Sequence, residues 1–249
     1  MDRSIAHRTA HAGLAVALAL GWILAAAPAR ACRLAIVLGF DVSRSVDDQD
    51  YRLQVDGIIA ALFDHEVRAL LLNPAQPVAM AVFEWAGQFE QEMVADWTLL
   101  DSGAAIDTLA QTVLTHERRG RGLTAVGSAL TYARRLIERG PECLWQTIDL
   151  AGDGQINDGP EPRRIYDTTA FGDIVVNGLA IGEHEHRIER WFTQNVLHGP
   201  GAFVEFTPTH DGFAQAFRRK LIRELTEPML GAAPPSPDTL HSEAEPPRG

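Results

Sequence analysis

An apolar run that ends in one acid and two hydroxyls constrains the fold of this chain more than any other segment. Residues 34–40 read Leu-Ala-Ile-Val-Leu-Gly-Phe, which is typical of a strand buried on both faces. Asp41, Ser43 and Ser45 follow at alternate positions. Mg²⁺ prefers a small octahedron of oxygen ligands, and these side chains supply three from one turn. The pattern predicts a metal-binding loop at the carboxyl end of a strand. The alternative is that Ser45 only caps the next helix.

Both ends of the chain have the character of segments outside the folded domain. Arg3 and Arg8 precede an uncharged apolar run of 15 residues, which is shorter than the ~20 residues of a spanning helix. Ala29-Arg30-Ala31 then offers small residues to a signal peptidase. We therefore expect a signal peptide at 1–31, a domain at 32–229 and a disordered proline-rich tail at 230–249.

The expected signal peptide places the protein in the periplasm or outside the cell and leaves no stable transmembrane segment after processing. The full chain has a net charge of -11, and removal of residues 1–31 takes away more arginines than acids. A strongly acidic surface repels phosphate backbones. Nucleic acids and anionic lipid surfaces are therefore unfavourable partners, whereas cations and basic protein surfaces are favoured.

The two cysteines have positions that suggest a pair. Cys32 precedes the first predicted strand, and Cys143 precedes the apolar segment 144–150. If these strands are parallel neighbours, both sulfurs lie at one edge of the sheet, and an oxidising compartment predicts a disulfide. Two alternatives remain open. Cys32 could be the acylated residue of a lipoprotein, although Ala29 and Arg30 fit that signal poorly, or both thiols could be free.

Strand and helix patterns alternate from residue 33 to residue 229. This alternation predicts an α/β domain with a doubly wound, mainly parallel six-stranded sheet and helices on both faces. A hairpin through Gly87 gives the sheet one antiparallel edge strand. The predicted strands are 34–40, 78–85, 92–97, 144–150, 174–181 and 202–206. The predicted helices are 47–63, 104–114, 124–139, 161–170, 187–196 and 212–227.

Two further loops carry oxygen ligands. Thr124 opens a predicted helix, and Asp153 follows a predicted strand. Ligands of open α/β sheets bind beyond the carboxyl ends of the strands, so we expect both residues to converge with the first loop. The set resembles the metal-ion-dependent adhesion site of the von Willebrand factor type A family. The matching residues are Asp41, Ser43 and Ser45 in the first motif, Thr124 in the second and Asp153 in the third.

A narrower resemblance rests on five short motifs. These are Asp153-Gly-x-x-Asn157, Trp85-Ala-Gly87, Gly178-Leu-Ala-Ile181, Gly199-Pro-Gly-Ala-Phe203 and Lys220-Leu-Ile-Arg-Glu224. They are similar to the uncharacterised bacterial family called domain of unknown function 1194. That resemblance implies the Rossmann-like von Willebrand factor type A fold and assigns no activity.

The adhesion-site resemblance implies a specific ligand set. Ser43 and Ser45 would bind Mg²⁺, or Mn²⁺, directly. Asp41, Thr124 and Asp153 would bind it directly or through water. The remaining position would take a carboxylate of a partner. Two carboxylates and three hydroxyls leave the ion weakly neutralised and therefore receptive to an outside acid.

Several neighbouring groups have simpler interpretations. Gly152 and Gly154 are expected to adopt positive φ in the turn, and Asn157 and Asp158 are expected to form turn hydrogen bonds. The acids Asp47, Asp48 and Asp50 suit the first turn of a helix. The sequence predicts a plain charged loop for Arg118, Arg119 and Arg121, with recruitment of an acidic ligand as the alternative. Glu183-His184-Glu185-His186 offers metal-ligand chemistry, but its histidines share an ion only in a loop.

No motif for covalent catalysis is present in the sequence. Ser128 lacks the surroundings of a nucleophile elbow, and no phosphate-binding glycine loop with a lysine occurs. The leading hypothesis is an exported, non-enzymatic binding module that captures an acidic group through its metal. A hydrolase with the same ion is the rival, with Asp47 or Asp158 as the candidate general base. A structural domain with a vestigial site is the third hypothesis.

Overall fold

The computed structural model describes residues 32–72 and 77–230, with side chains as far as residue 226. The predicted signal peptide and proline-rich tail lie outside these residues. One six-stranded sheet forms the centre of the domain. Its strands are β1 (Cys32–Asp41), β2 (Val78–Trp85), β3 (Gln91–Leu100), β4 (Cys143–Gly152), β5 (Val175–Ile181) and β6 (Val204–Thr207). They lie in the order β3-β2-β1-β4-β5-β6. Only the β2–β3 pair at one edge is antiparallel, which confirms the predicted fold class.

Helices cover both faces of this sheet. They are α1 (Asp48–Phe63), α2 (His65–Leu72), α3 (Gly103–Thr115), α4 (Val126–Arg139), α5 (Pro162–Thr168), α6 (Ile188–Asn195) and α7 (Phe213–Leu230), with a short 3₁₀ helix at His210–Gly212. One apolar core lies between the sheet and α1, α2, α3 and α7, and a second lies between the sheet and α4, α5 and α6. Every residue of β1 is buried, as expected for a central parallel strand.

The strand register separates the two edges of the sheet. At the amino edge, Cys32 and Cys143 are register partners and form a disulfide, as predicted. At the carboxyl edge, Asp41 pairs with Trp85, while β4 ends at Gly152. The chain runs from β1 to β2 on one side and enters β4 on the other, so β1 and β4 flank the point where the strand order reverses. Ligands of open α/β sheets bind at such switch points.

Local boundaries differ from the sequence prediction in two informative places. The sequence pattern does not predict α2, whose eight residues follow α1 after a single non-helical residue, Asp64. The helix predicted to begin at Thr124 begins at Val126, after an Ala125 that makes no side-chain cap bond. Thr124 is instead engaged in loop contacts, with its amide donating to the Asn157 side chain at 2.8 Å.

A buried lysine joins α7 to the sheet. Lys220 is fully buried, and its Nζ lies 2.5 Å from Asp149 Oδ1 in β4 and 2.6 Å from Glu224 Oε1. Asn177 of β5 donates to the same Glu224 oxygen and accepts from the Phe203 amide. Two of the motifs noted in the sequence therefore meet inside the fold and tie α7 to the sheet.

Candidate metal centre

The first metal loop begins where β1 ends. Asp41 and Ser43 are both 1 % exposed, and the Ser43 amide donates to Asp41 Oδ1 at 2.7 Å. Gln54 of α1 donates to the Asp41 carbonyl oxygen, which fixes the start of the loop. The hydroxyls of Ser43 and Ser45 lie 3.3 Å apart. Ser45 does not cap α1, since Asp47 occupies that position and accepts bonds from two amides. The capping alternative for Ser45 is therefore wrong.

The other two predicted ligands reach the same hydroxyls. Thr124 Oγ1 donates to Ser43 Oγ at 3.2 Å, and Ser45 Oγ donates to Asp153 Oδ1 at 2.7 Å. Three segments that are distant in sequence therefore place two carboxyl groups and three hydroxyls in one continuous cluster. The cluster lies at the carboxyl edge of the sheet, between the ends of β1 and β4.

The two carboxyl groups of this cluster are short of hydrogen-bond donors. Asp41 Oδ2 and Asp153 Oδ2 are buried and have no hydrogen-bond partner among the described residues, and the nearest basic atom to the latter is His184 Nε2 at 3.9 Å. Burial and the charge of Asp153 raise the pKa of Asp41 to about 8. Burial also raises the pKa of Asp153. A divalent cation would supply the missing charge and contacts to both oxygens, so the residues present fit such an ion.

Gly152, the last residue of β4, matters because it has no side chain, not because of its backbone angle. The glycines with positive φ in the described chain are Gly159, Gly172, Gly199 and Gly201, so the expectation of positive φ at Gly152 and Gly154 is wrong. A Cβ on Gly152 would lie 3.2 Å from both Asp41 Oδ2 and the Trp85 ring. Its missing side chain allows β4 to pass close to the first metal loop.

Arg118 is part of the support of the metal loop. Its side chain is 6 % exposed, and its guanidinium donates to the carbonyl oxygens of Val42, Ser43 and Val46. A planar guanidinium can hold several oxygens in one fixed arrangement. The prediction of a plain charged loop is therefore wrong for Arg118, whereas Arg119 and Arg121 are well exposed.

The segment that carries Arg118 is fixed from its other side by Glu84. This glutamate is 1 % exposed at the end of β2, and its Oε1 accepts bonds from the amides of Arg119 and Gly120. The sheet therefore positions Arg118, and Arg118 positions the metal loop.

The two candidate general bases are both occupied with structural hydrogen bonds. Asp47 accepts from the amides of Gln49 and Asp50 at the start of α1. Hydrogen bonds from the backbone of Asp50 and Gln49 lower the pKa of Asp47, which weakens it as a base. Asp158 accepts from the Gln88 amide at 2.7 Å. The predicted turn hydrogen bonds are seen only in part: Asp158 accepts from the adjacent Gly159 amide, whereas the bonds from Gln88 to Asp158 and from Thr124 to Asn157 join different loops.

A second group of potential metal ligands lies at the same edge of the sheet. Asp50, Glu183 and His210 each place one ligand atom within 4.8 Å of the others. The sequence pattern indicates metal-ligand chemistry for Glu183 and its neighbour His184 but not for His210, which lies 27 residues after Glu183. The pattern in the sequence gives no signal for this group, because three separate elements bring it together.

The sequence comparison decides the family. A family model described as "Protein of unknown function (DUF1194)" matches residues 31–229, which is most of the chain. This chain belongs to the DUF1194 family. No curated protein matches the DUF1194 chain significantly.

The structure comparison identifies the fold of this DUF1194 protein. Proximal thread matrix protein 1 from the mussel byssus matches with a TM-score of 0.58 and 16% identity, over 78% of this chain and 48% of that one. A von Willebrand factor type A protein from Catenulispora acidiphila matches with a TM-score of 0.56 and 17% identity, over 78% and 43%. The pilus adhesin SpaC from Lactobacillus rhamnosus GG matches with a TM-score of 0.55 and 11% identity, over 78% and 31%. The fold is therefore that of a von Willebrand factor type A domain.

The DUF1194 chain spans less than half the length of each of these three structures. They include a matrix protein and an adhesin. Another structure of the mussel protein is described as having a zinc-occupied metal-ion-dependent adhesion site motif. In the described part of this chain, no helix is both long enough and apolar enough to span a membrane.

Proposed function

We propose that this DUF1194 protein is an exported binding module that captures a carboxylate of its partner through a bound Mg²⁺ or Mn²⁺ ion. The partner is a protein or another ligand with an acidic group. The ion is held by one set of five side chains: Asp41, Ser43, Ser45, Thr124 and Asp153.

One observation carries this proposal. Asp41 Oδ2 and Asp153 Oδ2 are buried and have no hydrogen-bond partner within residues 32–72 and 77–226, beside three hydroxyls that bond to one another and to Asp153. Buried polar atoms are normally paired, and two adjacent buried carboxylates repel each other. A divalent cation removes both costs at once, because it neutralises the acids and accepts electron pairs from carboxylate and hydroxyl oxygens alike.

The donor set favours a particular kind of ion. All five side chains offer oxygen, and oxygen ligands suit Mg²⁺ and Mn²⁺. Mg²⁺ takes six ligands, so a partner's carboxylate can occupy a position that the protein leaves to solvent. Five ligands of which only two are charged keep the ion electrophilic. The chain's own residues thus hold and orient the ion, and the ion supplies the attraction for the outside acid.

Export and a binding role are supported by different observations. The Cys32–Cys143 disulfide suits an oxidising compartment, in agreement with the signal peptide expected from residues 1–31. The similar folds of a byssus matrix protein and a pilus adhesin favour a binding role. A hydrolase with the same ion would need a free base, and the hydrogen bonds of Asp47 and Asp158 argue against both candidates.

The metal part of the proposal is tested by thermal unfolding of the full chain, treated with EDTA and then supplied with Mg²⁺ or Mn²⁺. A specific ion stabilises the native state by about 2.7 kcal/mol at 100 times its Kd. We expect this rise in wild type and its loss in Ser43→Ala and Asp153→Asn. Asp149→Asn is the control, because Asp149 is also buried, in the strand β4 that precedes Asp153, but is paired with Lys220. An unchanged response in Asp153→Asn would overturn the site.

The capture of an acid is tested on the same variants. The immobilised chain is loaded with Mg²⁺, incubated with bacterial envelope extract and eluted with EDTA. We expect proteins that elute from the wild-type and Asp149→Asn columns and are missing from the Ser43→Ala and Asp153→Asn columns. Blocking the carboxyl groups of the eluted proteins should prevent their rebinding. Rebinding after this modification would contradict capture through a carboxylate.

A further inference from the structure

We propose a second cation site, formed by Asp50, Glu183 and His210, that binds a transition metal ion of the Zn²⁺ type. It is separate from the five-residue centre and does not depend on the carboxylate-capture function.

Three elements build this site at the carboxyl edge of the sheet. Asp50 lies in the first turn of α1, Glu183 follows β5, and His210 opens the 3₁₀ helix after β6. His210 Nδ1 lies 2.6 Å from Glu183 Oε2 and 3.5 Å from Asp50 Oδ1. The ring nitrogen therefore faces both carboxylates, an arrangement in which one ion could contact all three side chains with small adjustments.

The imidazole is fixed toward these acids. His210 is 1 % exposed, and its backbone amide also donates to Glu183 Oε2 at 2.9 Å. Its other ring nitrogen, Nε2, is buried and has no hydrogen-bond partner in the described part of the chain. No competing bond at Nε2 turns Nδ1 away from the carboxylates.

The local charge also favours a cation. Within residues 32–72 and 77–226, neither Asp50 nor Glu183 forms an ion pair with a lysine or arginine, and His210 is the basic partner of both. A protonated imidazole offsets only one of the two negative charges. The side chains of Asp50 and Glu183 are 14% and 33% exposed, so an ion can enter from solvent on the Glu183 side and still be partly enclosed.

The ligand chemistry distinguishes this site from the first. One imidazole nitrogen with two carboxylate oxygens is a donor set used for Zn²⁺, with a position left for water or a ligand. The five-residue centre offers oxygen alone, which suits Mg²⁺. The two sites should therefore separate by ion type when both metals are present.

The test measures Zn²⁺ binding by the full chain with its disulfide intact. EDTA-stripped protein is dialysed against Zn²⁺ in a large excess of Mg²⁺, which competes with Zn²⁺ for the oxygen-only centre. We expect wild type to bind one equivalent of Zn²⁺, and His210→Gln and Asp50→Asn to weaken that binding by at least about tenfold. Co²⁺ in place of Zn²⁺ should give a visible spectrum that His210→Gln changes.

Two control variants separate this site from its neighbours. His184→Gln removes a half-exposed histidine that lies beside Asp153, and Ser43→Ala disables the five-residue centre. Both should bind Zn²⁺ as wild type does in the presence of Mg²⁺. Loss of Zn²⁺ binding in Ser43→Ala alone would assign the ion to the first centre and overturn the proposal. Wild-type binding by both His210→Gln and Asp50→Asn would overturn it as well. Since Asp50 lies at the partly exposed start of a helix, Asp50→Asn keeps the test valid if His210→Gln does not fold.

Discussion

The domain buries two clusters of carboxyl groups on neighbouring strands and balances their charge in different ways. Asp149 and Glu224 share the ammonium of Lys220, which lies within 2.6 Å of both. Asp41 ends β1 and Asp153 follows β4, nearer the carboxyl edge of the sheet. Within residues 32–72 and 77–226, neither forms an ion pair with a lysine or arginine. The first cluster has a buried cation of its own, although Glu224 Oε2 has no hydrogen-bond partner among the described residues. The described residues supply no such cation to the second cluster.

This difference separates a structural cluster from a candidate binding site. Burial raises the pKa of Asp149 to about 7, with Glu224 adding to the effect and Lys220 opposing it. Burial also opposes the Lys220 ammonium, but Asp149 and Glu224 outweigh it and raise the pKa of Lys220. Asp41 receives no comparable compensation, and its pKa rises to about 8. Burial thus raises the pKa of both carboxyl groups, and the two clusters differ in whether a buried ammonium lies beside the acids.

The largest effect should come from removing the internal cation. Lys220→Met leaves Asp149 and Glu224 buried without a counter-charge, and breaking a buried ion pair costs about 3–5 kcal/mol. Urea unfolding would measure the loss. The triple variant Asp149→Leu, Lys220→Met and Glu224→Leu should recover much of it, because an apolar replacement leaves no unpaired charge. If Lys220→Met lowered the free energy of unfolding by less than about 1 kcal/mol, Lys220 would not be what stabilises the first cluster, and the contrast with the second cluster would fail.

A smaller effect should appear in the pH dependence of the metal-free protein. The pKa of Asp41 is about 8 in the folded state, above its usual value of 3.8, so the folded state binds more protons than the unfolded state between these two pH values. Its contribution to stability is therefore lost as pH rises from 4 toward 8, by about 1.4 kcal/mol per pH unit for one proton. Stability in EDTA should fall less steeply in Asp41→Asn than in wild type. Saturating Mg²⁺ should flatten the wild-type curve. Parallel curves for the two proteins in EDTA would contradict this assignment.

The smallest effect should come from the support of the metal loop. Arg118→Lys keeps the charge but replaces the rigid, planar guanidinium, whose Nη2 bonds to three loop carbonyl oxygens, with a single flexible ammonium. We expect the Mg²⁺ affinity to fall by about tenfold, as for other groups that position metal ligands. Titration of the EDTA-stripped protein measures this change. Arg121→Lys is the matched control, since Arg121 is 63% exposed and makes no bond to the loop carbonyls. Equal affinities for both variants would remove Arg118 from the site.

The sequence predicted the parts of this molecule that depend on strand order. Once β1 and β4 are parallel neighbours, Asp41 and Asp153 must lie at one edge and Cys32 and Cys143 at the other. The apolar runs fixed the strands, and their alternation with helices fixed the fold class. The ion itself and its five-residue ligand set remain predictions.

Other features depend on contacts that no local pattern records. Arg118 occurs in a basic, glycine-rich segment, and only tertiary packing turns it inward onto the loop carbonyls. His210 meets Asp50 across 160 residues of sequence. The late start of α4 follows from the loop contacts of Thr124, which override its helix-capping preference. These errors concentrate at the candidate sites, where side chains serve contacts other than those of their own helix or strand.

The disulfide gives the domain a defined path for mechanical force. Tension between a ligand held at the carboxyl edge and the opposite, amino edge of the sheet would load β1 along its length. Cys32 is the first residue of β1 and is linked to Cys143, the first residue of β4. The covalent bond would transfer part of that tension to β4. An extracted β1 would have to drag β4 with it, so the domain should resist unravelling from the end opposite its ligand.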